Sequence, residues 1–121
     1  MEKIVFLPGA SGNIDFWKPL IEFLPKKYEK QIIGYPGFGR IAEDTRLKSF
    51  SDLQEYVTGK INSESILIAQ SMGGIFAVNK AFTDASLIKG LVLIATSGGI
   101  DLTPFNVQDW RTEYREQYPR Y

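Results

Sequence analysis

Apolar residues in this chain come in short, nearly unbroken runs, each stopped by a cluster of glycine and proline. Lys3 to Leu7 is one run, ended by Pro8-Gly9-Ala10-Ser11-Gly12; Lys30 to Tyr35 is a second, ended by Pro36-Gly37-Phe38-Gly39. Ser65 to Ala69 makes a third, and Leu87 to Thr96, centred on Gly90-Leu91-Val92-Leu93-Ile94-Ala95, a fourth. Runs that do not alternate with polar residues suit strands covered on both faces, as in a parallel sheet. Between them the period changes. Trp17, Leu20, Ile21 and Leu24 recur at helical spacing, as do Phe50, Leu53, Val57 and Ile61 behind a cap at Ser49 or Ser51, and a third helix is predicted from about Gly73 to Ala85. Strand alternating with helix predicts an α/β fold, a parallel sheet with helices on both faces. The segment Thr103 to Tyr121 is aromatic and charged, with Val107, Trp110 and Tyr114 on one helical face. It suits either a core-covering helix or the start of a lid over a pocket.

The third run leads directly into Ala69-Gln70-Ser71-Met72-Gly73-Gly74. A serine at the apex of a sharp strand-to-helix turn holds an unusual backbone conformation, so the positions two before and two after it must be small. Ala69 and Gly73 are, although the usual G-x-S-x-G pattern has glycine where Ala69 stands. Ser71 is therefore the candidate nucleophile. The plainer alternative is a serine capping the helix that begins near Met72, but a cap requires neither the buried strand before it nor the paired glycines after it.

Composition narrows the choice. The 121 residues, 44% hydrophobic and 13% aromatic, suffice for one modest domain with a core of its own, residues 1–121. Fourteen basic and fourteen acidic residues cancel, leaving no electrostatic footprint for nucleic acid or an anionic membrane. No cysteine is present, and the start Met-Glu-Lys-Ile lacks the apolar stretch of a signal peptide; a cytoplasmic location is the expectation. No apolar run approaches the roughly 20 residues that span a bilayer. Without histidine or cysteine a metal site has little to stand on, Asp101, Asp109 and Glu113 reading as solvated charges, and no cofactor is expected. The absence of histidine also leaves Ser71 without its usual general base.

Together, Leu7-Pro8-Gly9-Ala10-Ser11-Gly12, Tyr35-Pro36-Gly37-Phe38-Gly39 and Ala69-Gln70-Ser71-Met72-Gly73-Gly74 resemble, in order and spacing, the N-terminal half of the α/β-hydrolase superfamily. The Pro-Gly-Phe-Gly stretch and Ala95-Thr96-Ser97 are most similar to the small carboxylesterases, among them the biotin-synthesis esterases that act on pimeloyl-carrier methyl esters. The resemblance implies a spatial strand order of second, first, third, fourth, consistent with right-handed crossovers. It implies a serine hydrolase acting on small acyl esters or thioesters, with Ser71 as nucleophile. The N–H groups of Ala10 and Met72 would form the oxyanion hole, and Gly9, Ala69, Gln70 and Gly73 would shape the loop and elbow. In that family the acid and the histidine follow later strands, so both are expected beyond Tyr121 and the chain is expected to be incomplete and inactive alone. The fourth strand would then be an apolar edge, open to pairing. Two covers are expected for it: a homodimer through that edge, or the Thr103–Tyr121 segment folded over it.

Two rivals come from other classes. Gly9-Ala10-Ser11-Gly12-Asn13-Ile14-Asp15 imitates the G-x-x-G-x-x-G loop of NAD(P)-binding reductases, but Asp15 replaces the third glycine and puts negative charge beside the phosphate site. The accompanying Tyr-x-x-x-Lys pair, Tyr56 and Lys60, comes before the third strand, earlier than such enzymes place it. Gly37-Phe38-Gly39-Arg40-Ile41-Ala42 matches G-x-G-x-x-A but follows a proline and leads into no apolar helix. The other rival keeps the pocket without turnover, a pseudo-hydrolase that binds an acyl ligand or a partner.

Overall fold

The computed structural model describes residues 2–96, 98–99 and 103–105. Its elements are β1 (Lys3–Leu7), α1 (Lys18–Phe23), β2 (Glu29–Ile32), α2 (Phe50–Gly59), β3 (Ser65–Gln70), α3 (Gly73–Thr83) and β4 (Ile88–Ile94), with short 3-10 turns at Ile14–Trp17, Ala85–Leu87 and Thr103–Phe105. The four strands form one sheet in the order β2-β1-β3-β4, all neighbours parallel, as the resemblance implied.

Because successive side chains point to opposite faces, the strands feed two separate cores. On one face Val5 and Leu7 of β1 and Leu67 and Ala69 of β3 pack with Leu53 and Val57 of α2, with Ile61, and with Phe76 and Ala77 of α3. On the other, Ile4, Phe6 and Ile68 pack with Trp17, flanked by Ile21, Leu24 and Tyr28. Both faces of β1 are thus covered, which is why its run shows no alternation. Ser49 caps α2 as anticipated, its side chain accepting from the Asp52 N–H at 3.1 Å, while the Asp52 carboxylate accepts from the Lys48 N–H at 2.8 Å.

Several boundaries differ from the sequence-based ones. The second strand pairs only through Ile32, although the Ile33 N–H still donates to the Phe6 carbonyl at 3.0 Å; beyond it the chain turns away, with Ile33 and Tyr35 buried in the core. The helix expected after Gly12 begins as a 3-10 turn, because the Asn13 side chain accepts from the Asp15 N–H and closes the chain locally. The α-helical part is then only six residues long, so Trp17 is buried but Leu20 stays at the surface. Phe50, placed on the buried face of α2 by its spacing, is half exposed and stacks on Phe76 with ring centroids 5.4 Å apart.

The fourth strand is the edge of the sheet, as expected. No strand lies on its far side among the described residues, and Leu91, Val92, Leu93 and Ile94 are 38–45% exposed. Of the segment expected to cover them, Thr103–Phe105 forms a turn whose Phe105 is itself exposed. The rest of that segment, including the helical face of Val107, Trp110 and Tyr114, lies outside the described residues, as do Asp101, Asp109 and Glu113.

Candidate active site

Ser71 sits between the end of β3 and the start of α3 with φ of +51°, in the left-handed region that costs a residue with a side chain about 1–3 kcal/mol. Its position is held from both directions. Its N–H donates to the Ile94 carbonyl at 2.9 Å, tying the turn to the end of β4, and its carbonyl accepts from the Gly74 N–H at 2.9 Å, opening the helix. The capping alternative is not what the turn uses: Met72 is the N-cap of α3, and no side-chain hydrogen bond caps it.

The glycines show why the bend can be so tight. A Cβ on Gly73 would meet the Leu7 and Pro8 carbonyl oxygens, the latter at 2.6 Å, so the first turn of α3 lies directly on the backbone at the end of β1. A Cβ on Gly74 would collide with Thr96 just beyond β4. The helix therefore starts over two strand ends at once. Ala69 needs no glycine: it is fully buried opposite Leu7 and Leu93, and its methyl fills the core.

The loop after β1 comes against the serine. A Cβ on Gly9 would lie 3.2 Å from Gln70 Oε1 and 3.3 Å from Ser71 Cβ, so the backbone at Gly9 runs alongside the elbow. The Gly12 N–H donates to the Gly9 carbonyl at 3.0 Å, closing a turn whose exposed tip is Ala10-Ser11. Neither the Ala10 nor the Met72 N–H donates to a carbonyl among the described loop and turn hydrogen bonds. A second loop braces the first. Gly12 (φ +65°) and Gly39 (φ +59°) press together, a Cβ on Gly39 falling 2.6 Å from the Gly12 carbonyl oxygen, which only glycine permits. The two loops also flank a cavity of about 290 Å³ lined by Ser11, Asn13, Ile14, Arg40 and Ile41. Asp15 pairs with Lys18 at 2.8 Å and with Arg40, and these cations lower its carboxyl pKa.

Two features here carried no sequence signal. Ala95 takes φ of +52° at the end of β4, so adjacent strands each end in a left-handed residue with a side chain, and alanine gives no hint of it. Tyr35, which reads in sequence as the end of a strand, donates its hydroxyl to the Pro8 carbonyl at 2.6 Å from within the core. Burial pushes its phenol pKa up, so it stays a neutral donor.

The competing motifs fit less well. The Asn13 side chain already takes the Asp15 N–H at the helix start, and the Asp15 carboxylate puts negative charge in that first turn, unfavourable to a pyrophosphate there. Lys60 lies 4.9 Å above the Tyr56 ring, a cation–π contact on the surface of α2. No helix among the described residues is long and apolar enough to cross a membrane.

A model of the alpha/beta hydrolase family matches residues 4–120. Pimeloyl-[acyl-carrier protein] methyl ester esterase of Wigglesworthia glossinidia brevipalpis is 30% identical over 95 residues, 78% of this chain but 36% of that protein. The enzyme of the same name from Yersinia pestis is 27% identical over 94 residues, again covering 78% of this chain and 36% of the relative. A probable hydrolytic enzyme from Pseudomonas aeruginosa PAO1 superposes with a TM-score of 0.72 at 21% identity, over 97% of this chain and 43% of that one. The chain thus spans about a third of the length of the curated relatives it matches.

Proposed function

We propose that this chain, which belongs to the alpha/beta hydrolase family, carries the nucleophile and oxyanion hole of a serine hydrolase for carboxylic esters or thioesters. The observation that carries the proposal is the strained Ser71, at φ of +51° on a strand-to-helix bend packed against the loop of Gly9 and Ala10. Strain of this kind presents a side chain outward from the ends of the strands, where open α/β sheets bind ligands. Ser71 Oγ attacks the acyl carbonyl as a general base takes its proton. The Ala10 and Met72 N–H groups receive the negative charge that develops on the carbonyl oxygen, and the alcohol or thiol leaves with a proton returned by the base. Water then releases the acid from the acyl-serine by the same steps in reverse order. No histidine occurs in the 121 residues, so the base comes from outside them. The similarity to methyl ester esterases of an acyl carrier supports a methyl ester of a carrier-bound acyl chain as substrate.

The purified chain is expected to hydrolyse p-nitrophenyl acetate no faster than its Ser71→Ala variant, because triad members act as a unit. In a longer protein continuing this chain with a histidine, the same substitution should lower turnover by about 10⁴-fold or more. Strong Ser71-dependent turnover by the 121 residues alone overturns the external base; an indifferent Ser71→Ala variant in the longer protein overturns the nucleophile. The absence of histidine supports one second reading, a pocket that binds an acyl ligand or a partner without turnover.

A further inference from the structure

We infer that Tyr35 is a positioning residue, whose hydroxyl fixes the peptide preceding the oxyanion loop and so sets the direction of the Ala10 N–H. The inference rests on the reading of Ala10 as an oxyanion donor, but its geometry stands independently. An oxyanion donor is useful only if it is aimed before charge develops, since reorienting a loose loop costs what the hydrogen bond would return. The tip of this loop is exposed at Ala10 and Ser11, so the aim must come from the peptides behind it.

Two consecutive peptides there are fastened. The Gly9 carbonyl accepts from the Gly12 N–H at 3.0 Å. In a planar trans peptide the carbonyl and the following N–H point in opposite directions, so this bond orients the Ala10 N–H through the peptide that contains both. The Pro8 carbonyl, one peptide earlier, accepts from Tyr35 Oη at 2.6 Å and lies against Gly73 at the start of α3. Proline contributes no N–H of its own, and the Pro8 side chain is fully buried. Without the Tyr35 hydroxyl that carbonyl would be a buried acceptor without its hydrogen-bond donor, a cost of about 1–3 kcal/mol that rotation of the Pro8–Gly9 peptide could relieve. Rotation there would carry Gly9 and Ala10 away from Ser71.

Tyr35 is suited to the task. Its ring is held edge-on by Phe38 and Phe76, with centroids 5.9 and 5.2 Å away, so the hydroxyl has little freedom to leave. The residue belongs to the chain just beyond β2, and the bond joins positions 27 apart in sequence. The loop after β2 thus supports the loop after β1 at two points, Gly39 against Gly12 and Tyr35 against Pro8.

The test is backbone relaxation by NMR on the labelled 121-residue chain and its Tyr35→Phe variant, which removes only the hydroxyl. The Gly9 and Ala10 N–H order parameters are expected to fall from about 0.85 to below about 0.6, while those of β1 and β3 hold. Unchanged values at Gly9 and Ala10 overturn the inference, as does an equal loss through β1 and β3, which would mark a general packing role. Should the variant not fold, the unsubstituted chain still decides: Tyr35 Cζ is expected to give two resolved lines in equal H2O and D2O, because a hydroxyl held by the Pro8 carbonyl exchanges slowly, and a single averaged line overturns the hydrogen bond. Neither readout involves turnover. A loosened loop together with an indifferent Ser71→Ala variant of the longer protein would therefore uphold Tyr35 and discard the hydrolase reading.

Discussion

β1 and β4 both flank β3, both pair with it in parallel, and both are built from uninterrupted aliphatic residues, yet they stand in opposite environments. Ile4, Val5, Phe6 and Leu7 of β1 are 0–4% exposed; Leu91, Val92, Leu93 and Ile94 of β4 are 38–45% exposed. The cause lies in their neighbours. β1 has a strand on either side, α1 on one face and α2 and α3 on the other, whereas among the described residues β4 has β3 on one side only, with α3 on the face it shares with Leu67 and Ala69. An apolar run states what a strand requires, and the rest of the molecule decides whether it is supplied. The difference also divides the site, because Ser71 is anchored to both strands: through Gly73 to the closed end of β1 and through its N–H to Ile94 on the open one.

The closed half should be the more sensitive. Phe76 is fully buried against Tyr35 and Phe50, and Phe76→Ala is expected to cost about 3–5 kcal/mol in urea unfolding. A cost under about 1 kcal/mol would mean that this face is no better packed than β4. Next, Gly73→Ala should destabilise by about 3 kcal/mol, the upper end of ordinary overpacking, because the added methyl meets backbone oxygens that cannot rotate away. A smaller loss would show that α3 lifts off β1 readily.

Ser71→Gly sharpens the comparison in the other direction. Glycine relieves the left-handed strain, so stability should rise by about 1 kcal/mol while the candidate nucleophile is lost. A fall in stability would argue that the Ser71 side chain contributes to the fold. On the open half, Val92→Lys should change unfolding free energy by no more than about 0.5 kcal/mol, as for an exposed site. Its effect should appear in sedimentation instead: the unsubstituted chain is expected to self-associate through the β4 edge, and a lysine there should shift it toward monomer. Identical sedimentation of the two would remove β4 as the interface.

The smallest effect is expected at the surface. Asp44 accepts from the Arg46 backbone N–H and guanidinium, which hold its carboxyl pKa at about 2, below its ordinary value of 3.8. A carboxyl with a lowered folded-state pKa contributes stability that is present above pH 3.8 and lost as pH falls through about 2. Asp44→Asn should therefore lower the urea midpoint slightly at pH 5 and leave it unchanged below pH 2. An equal decrease at both values would exclude the ion pair as its cause.

The sequence by itself determined the elements whose cause is local. The aliphatic runs of β1 and β3, the Ser49 cap and the small residues around Ser71 follow from side-chain size, period and hydrogen bonding within a few positions, and they were legible on that basis. The strand order was legible too, through the resemblance of three spaced motifs to a family. What only the tertiary structure decided involves residues far apart in the chain. The left-handed backbone of Ala95, the hold of Tyr35 on Pro8, the contact of Gly12 with Gly39 and the shortening of β2 to its pairing with β1 all depend on which segment arrives alongside. Burial and close approach belong to pairs of surfaces, and a linear pattern describes one member of each pair.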